Sequence, residues 1–317
     1  MKVIEHLIKA KNPLISFEII PPKRGGDLKQ LLSLLDDIVK YNPPFIDITS
    51  HAAEVIYEET PNGGFIAKIK RKRPGTLGIC ALIQNKYNVD AVPHVICQGF
   101  TREETEDFLI ELRYLQIDNV LAIKGDDSAF NKPIKFGRSV NLRALDLVTQ
   151  IKTMNNGKYL EESLLDAEPT NFCVGVSGYP EKHYEAPNLD IDILHTKEKI
   201  DAGADYIVTQ MFYDNKKYYD YVKKCREAGI TVPIIPGLKI LTSKNHVNSL
   251  PKNFFIDIPK ELAENILNSK PEHTIDIGVE WTLKQVEDLL NHNVPAIHFY
   301  IMQSALPINK LMAKLKF

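Results

Sequence analysis

Short apolar runs rich in β-branched residues recur along the chain: LISFEII at 14–20, FIDITS at 45–50, AVPHVIC at 91–97, NVLAIKG at 119–125, FCVGVSG at 172–178, YIVTQMFY at 206–213, PIIPGLKI at 233–240 and AIHFYIM at 296–302. Their apolar positions are mostly consecutive rather than alternate, as a parallel strand covered on both faces requires. Between them lie stretches whose apolar positions fall three and four apart, such as DLKQLLSLLDDIVKY, TREETEDFLIELRYLQ, NLRALDLVTQIKTM, DILHTKEKIDAG and YYDYVKKCREAG, and these predict helices with one buried face. Strands and helices in this alternation predict an α/β protein, a single (β/α)8 TIM barrel over residues 1–317. An open doubly wound sheet usually stops at about five or six strands. The segment TLGICALIQNKYN at 76–88 suits a buried strand or a helix; the strand that follows so closely favours the helix.

Two excursions interrupt the alternation. Residues 51–75 contain EETPNGG and the basic run KIKRKR at 68–73; residues 241–280 contain several prolines and the short helical pattern PKELAENILN. Because loops after barrel strands build active sites, both are candidate lids over a large ligand, with surface decoration the equal alternative for the first.

Composition narrows the class. With 44% hydrophobic and 25% charged residues and a formal net charge of -2, the chain has no global attraction for nucleic acid or an anionic membrane, so an anionic ligand must be gripped locally. The KIKRKR run lacks interleaved aromatics and reads as a solvated loop. Cys80, Cys97, Cys173 and Cys225 form no CxxC pair, which predicts a reduced cytoplasmic protein rather than a zinc site or a disulfide framework. MKVIEHLIKAKNP lacks the apolar core of a signal sequence, and no segment reaches the roughly 18 apolar residues of a membrane span.

In a barrel the chemistry lies at the C-terminal ends of the strands. The first strand carries Glu18 between Phe17, Ile19 and Ile20. Apolar neighbours disfavour the charged carboxylate and make a general acid; a buried Glu paired with a Lys or Arg is the even alternative. The second strand ends in Asp47, Thr49, Ser50 and His51, the third in His94, and the fourth in Lys124, Gly125, Asp126 and Asp127. A lone His94 is more often structural than catalytic, and no pair has metal-ligand spacing, so no metal is expected. Lys124 alone would suit a Schiff-base lyase or aldolase. Gln210, followed by Phe212 and Tyr213, suits the edge of a planar heterocycle. No GxGxxG and no GxxxxGK[ST] is present, so a dinucleotide would be gripped without the usual phosphate loops. On spacing alone Lys199 is a solvated helix residue.

In this order SFEIIPPK (16–23), DITSHA (47–52), PHVIC (93–97), LAIKGDD (121–127) and GVSGYPEKHYEA through KEKIDAGADYIVTQMFYD (175–214) resemble the catalytic domain of the methylenetetrahydrofolate reductases over nearly the whole chain. The last block holds Tyr179, Pro180, His183, Glu185, Ala186, Lys199, Gly203 and Gln210 at family positions. The resemblance implies FAD at the barrel mouth and a ping-pong reaction. NADH or NADPH reduces the flavin and leaves before 5,10-methylenetetrahydrofolate enters and is reduced to 5-methyltetrahydrofolate, which supplies methyl groups for methionine synthesis. It further implies Glu18 as the general acid and Asp126 as a fixed negative charge beside the reacting carbon. Thr49, His94, Lys124, Gly125, Asp126, Tyr179, His183, Asp192 and Lys199 would contact FAD, with Lys199 at the pyrophosphate. Glu18, Asp126, Gln210, Leu250 and Tyr300 would contact substrate.

Three departures stand out. Lys124 replaces the usual arginine, losing a bidentate fork but keeping the charge. Leu250 stands where bacterial relatives can place a stacking phenylalanine. The insertion at 51–75 interrupts the match just after Thr49. Eukaryotic relatives add a regulatory domain, so the expectation is one flavin-binding barrel domain without that regulation. Relatives associate through barrel surfaces, which is compatible with a homo-oligomer.

Overall fold

The computed structural model describes residues 1–125, 134 and 136–315. Its strands are β1 (Leu14–Ile19), β2 (Phe45–Ile48), β3 (Glu54–Glu59), β4 (Phe65–Lys70), β5 (Asp90–Ile96), β6 (Asn119–Ile123), β7 (Cys173–Gly178), β8 (Tyr206–Thr209), β9 (Ile234–Ile235), β10 (Gly237–Leu238) and β11 (Ala296–Met302). Its helices are α1 (Val3–Lys9), α2 (Leu28–Val39), α3 (Leu77–Tyr87), α4 (Arg102–Tyr114), α5 (Ala144–Asn155), α6 (Leu189–Asp201), α7 (Asn215–Glu227), α8 (His246–Phe254), α9 (Lys260–Asn268), α10 (Thr274–Asn291) and α11 (Leu306–Met312).

The large sheet runs β10-β11-β1-β2-β5-β6-β7-β8-β9, with parallel pairing throughout. Its two ends are halves of one strand split at Pro236: β9 pairs with β8 and β10 with β11, so the sheet closes on itself as the expected (β/α)8 barrel. Proline has no N–H to give to a ladder. Its carbonyl is still used, accepting from the His298 N–H at 2.9 Å.

Local sequence accounts for the helices. On α2, Leu31, Leu34, Leu35 and Ile38 fall on one stripe and are buried against the strands. The N-terminus of α4 is a capping box: the Thr101 hydroxyl accepts from the Glu104 N–H at 3.2 Å, and the Glu104 carboxylate accepts from the Thr101 N–H at 2.9 Å. The segment at 76–88 is a helix as expected, and it stops at Asn88 in the left-handed region at φ 54°. Helix α1, too short to show a period in sequence, closes the barrel floor. Val3 packs with Phe45, Val92, Cys173, Tyr206 and Ala296, and its N–H donates to Asn119 at 2.8 Å.

The two excursions differ in kind. Residues 54–70 form an antiparallel ribbon of β3 and β4 outside the barrel, and β4 is exposed along its whole length. Val55, Tyr57, Phe65, Ala67 and Ile69 share one face of it, and none lines the main cavity. The basic run is engaged within the chain. Lys68 pairs with Glu58 at 2.6 Å, Lys72 pairs with Glu54, Arg73 donates to the Pro21 carbonyl, and Arg71 lies over the Phe100 ring. After β10, by contrast, α8 and α9 pack Leu250, Ile256, Leu262 and Ile266 on Leu241, Met211 and Tyr213, and α8 forms a wall of the cavity. Among the described residues no helix is long and apolar enough to cross a membrane.

Candidate functional site

The strands open at their C-terminal ends into a cavity of about 1420 Å³, well above the roughly 300–1,000 Å³ of a pocket for one small ligand. Glu18 lies at its floor. Side chains alternate along β1, so Phe17 packs with the core around α2 while Glu18 turns inward, opposite Asp47 on β2 and Tyr300 on β11. Glu18 Oε2 is 3.4 Å from His94 Nε2 and 3.7 Å from His298 Nε2. Asp47, fully buried, is 3.7 Å from His94 and 3.9 Å from His298, whose Nδ1 is held by the Ser16 hydroxyl at 2.8 Å. Both Asp47 oxygens and the Nε2 atoms of His94 and His298 are buried without a hydrogen-bond partner. Burial without such partners is costly, and the opposite charges of the group, 3.4–3.9 Å apart, offset part of that cost.

The charge state of Glu18 differs from the expectation that apolar neighbours would raise its pKa. Burial does push the carboxyl up, but the charge of His94, the His298 ring and the charge of Lys239 outweigh it and hold Glu18 below the usual carboxylate range. His94 moves the opposite way. Burial pushes the imidazole down, and the charges of Glu18 and Asp47 more than restore it. The two are one coupled pair that carries a single proton between its two steps. The sequence alternative, a Glu18 paired with a Lys or Arg, is half met: the close partners are histidines.

The walls bring most of the sequence-named residues together. Thr49 lines the cavity with its hydroxyl buried and unpartnered. Gly125, at φ 92°, lets the chain turn at the rim against Gln98 and Ile96. Tyr179, His183, Tyr184 and Phe255 form an aromatic row with successive centroids 4.6, 4.6 and 5.0 Å apart. The Glu185 N–H donates to His183 Nδ1 at 3.3 Å, which leaves the ring proton on Nε2. Gln210 Oε1 accepts from the Met211 N–H at 3.0 Å, and its amide NH2 remains for a ligand. Leu250 and Tyr300 also line the cavity, but the Tyr300 hydroxyl donates to the Thr209 carbonyl at 2.6 Å and so offers a ring rather than a hydroxyl. Asp126 lies outside the described residues.

Lys199 and Asp192 are not on the cavity wall. The Lys199 ammonium donates to the Ser177 carbonyl at 2.9 Å behind β7, and burial pushes it down to about 8. Asp192, raised by burial, accepts from the His183 N–H at 2.9 Å and so braces the aromatic row. Lys124 is on the wall but ion-paired with Glu185. A Schiff-base nucleophile needs an unengaged amine, so this pairing disfavours the lyase alternative.

Sequence reasoning missed His298, Lys239 and His246. The first two were visible only as single polar residues inside apolar strand patterns, and His246 sits in an excursion with no periodic signal. His246 accepts from the Thr242 N–H at 3.2 Å and is kept neutral by burial and by Lys239. Among the described residues no three His, Cys, Asp or Glu side chains are placed to hold a metal ion.

The family model for methylenetetrahydrofolate reductase matches residues 3–316. Methylenetetrahydrofolate reductase 1 of Schizosaccharomyces pombe is 29% identical over 95% of this chain, which spans 45% of that protein. The 5,10-methylenetetrahydrofolate reductase of Escherichia coli is 27% identical, with 92% of this chain and 86% of that protein covered. The chain thus spans about half the length of the eukaryotic relative and most of the bacterial one. A solved structure described as an uncharacterized protein from Clostridium thermocellum that binds two copies of 5-methyl-5,6,7,8-tetrahydrofolic acid shares the fold, with TM-score 0.56 and 14% identity over 98% of this chain and 96% of that one. Since the family model covers the barrel from α1 to α11, this chain belongs to the methylenetetrahydrofolate reductase family.

Proposed function

We propose that the protein reduces 5,10-methylenetetrahydrofolate to 5-methyltetrahydrofolate with electrons from NADH or NADPH, using FAD held in the barrel cavity, and so supplies methyl groups for methionine synthesis. The observation that carries this reading is the buried Glu18–His94 pair at the floor of a cavity large enough for a dinucleotide and a second ligand, in a chain of this family.

The residues present fit FAD. The unpartnered Thr49 hydroxyl, the aromatic row from Tyr179 to Phe255, the His183 Nε2–H and the Lys124 ammonium offer a planar ring its stacking surface and its polar edge. When bound, the flavin supplies hydride transfer, which no side chain can perform. Asp192 braces the His183 N–H, and the Lys199 ammonium, assigned by family resemblance to the pyrophosphate, is anchored on the Ser177 carbonyl.

The chain's own residues handle the proton. His94, 3.4 Å away, passes the proton it carries to the Glu18 carboxylate, and Glu18 delivers it to the bridging nitrogen of the folate, whose bond to the one-carbon unit breaks so that the ring opens to an iminium cation. Asp126 is assigned by family resemblance as the negative charge that stabilises this cation. The Gln210 amide reads the pterin edge, and Leu250 and Tyr300 pack on the folate rings. Nicotinamide and folate use the cavity in turn.

FAD fluorescence measures the cofactor assignment directly. Titrating the protein into FAD should quench it to saturation at one flavin per chain, and Tyr179→Ala should weaken binding by about tenfold through the lost aromatic contact. FAD that stays fluorescent at all protein concentrations contradicts the assignment.

A further inference from the structure

Three lysines line the cavity: Lys124, paired with Glu185; Lys252, exposed on α8; and Lys239, just past the end of β10. Among the described residues no carboxylate lies within 4.0 Å of the Lys239 ammonium, and no other role in the chain engages it. The register places it. Gly237 lies opposite His298 and Leu238 opposite Phe299, so Lys239 follows at the level of Tyr300, and Tyr300 lies opposite Glu18. Lys239 and Glu18 therefore face the same cavity on either side of Tyr300. The groups around Glu18 are His94 from β5, Asp47 from β2, His298 and Tyr300 from β11, and Lys239; those around Lys239 are Glu18 and His246 of α8. His246 is neutral, so the Glu18 carboxylate is the charge that Lys239 meets.

We propose that Lys239 is a positioning residue for the general acid: its ammonium biases the proton shared by Glu18 and His94 toward His94, holding the pair as carboxylate and imidazolium. The inference rests on the reading of Glu18 as the acid. A cation facing the carboxylate rather than the imidazole disfavours the protonated carboxyl and leaves its partner to carry the proton. The influence runs both ways. Lys239 is among the charges that hold Glu18 down, and Glu18 partly offsets the burial that pushes the Lys239 ammonium to about 8. As pH rises through that value, Lys239 loses its charge and the bias relaxes.

The test uses protein carrying ¹³C-carboxyl glutamate, without cofactor. The Glu18 resonance is assigned by its loss in Glu18→Gln and then titrated. Lys239→Met should raise the midpoint of Glu18 by about half a pH unit or more, whereas Lys239→Arg should leave it near that of the parent protein. In the loaded enzyme, the alkaline limb of folate reduction should move to higher pH in Lys239→Met and stay in place in Lys239→Arg. Should Lys239→Met not fold, Lys239→Gln serves the same comparison. An unmoved Glu18 midpoint in the charge-free variant overturns the proposal, and weaker folate binding with an unmoved midpoint assigns Lys239 to substrate contact instead. Folate reduction that survives in Glu18→Gln defeats the acid assignment while leaving the midpoint measurement intact, so the two failures are distinct.

Discussion

Glu18→Gln should abolish folate reduction while sparing nicotinamide oxidation. The amide has the same shape and keeps the side chain between His94 and His298, but it has no proton to give at the acidity the bridging nitrogen requires. A general acid typically contributes about 10²–10⁴ in rate, and a loss of that size is expected in the folate half-reaction. The nicotinamide half-reaction needs no acid, so its rate should change by only a small factor. Stopped-flow measurement of each half-reaction separates the two. Equal losses in both would mean that Glu18 supports the site's structure and not the proton transfer.

Gly237→Ala should be the most damaging of the small substitutions at the site. A Cβ at this position would lie 2.2 Å from the Thr209 carbonyl oxygen, 2.6 Å from a ring carbon of Tyr300 and 2.8 Å from its hydroxyl. The nearest obstacle is backbone, where β10 crosses β8 at the point that closes the barrel, so side-chain movement cannot relieve it. Overpacking costs about 1–3 kcal/mol, and losing the hydrogen bond from Tyr300 to Thr209 adds about 1 kcal/mol. For a chain of 317 residues, thermal unfolding should drop by about 3–6 °C. Gly78→Ala is the contrast. Nothing lies within 4 Å of its Cβ position, and α3 should gain about 0.5–1 kcal/mol from alanine. If both variants unfold at the same temperature, the crowding at the split strand does not govern stability.

The barrel was legible because every one of its strands is buried on both faces and therefore written as a nearly continuous apolar run; even the split at Pro236 shows as a proline and a glycine inside PIIPGLKI. The ribbon of β3 and β4 was not. Its strands are held by pairing with each other and bury little, so EVIYEE and FIAKIK lack the signal of a core strand. At the site, Glu18 and His94 could be named from their strands, but the charge on Glu18 could not. The groups that set it, His298 and Lys239, arrive from strands distant in sequence, and only barrel closure makes them neighbours. Asp47 read as part of the polar rim, yet its position on β2 turns it into the barrel interior beneath the rim. Lys199 sat at a family position, and its burial and its hydrogen bond to the Ser177 carbonyl were hidden in a helical pattern that read as a solvated face.

The central claim is that one cavity serves both half-reactions, and an anaerobic visible spectrum tests it most directly. Protein loaded with FAD is titrated with NADH or NADPH and then with 5,10-methylenetetrahydrofolate. The account predicts that the flavin band bleaches with the nicotinamide and returns with the folate. A band that bleaches but stays bleached when folate is added would contradict it.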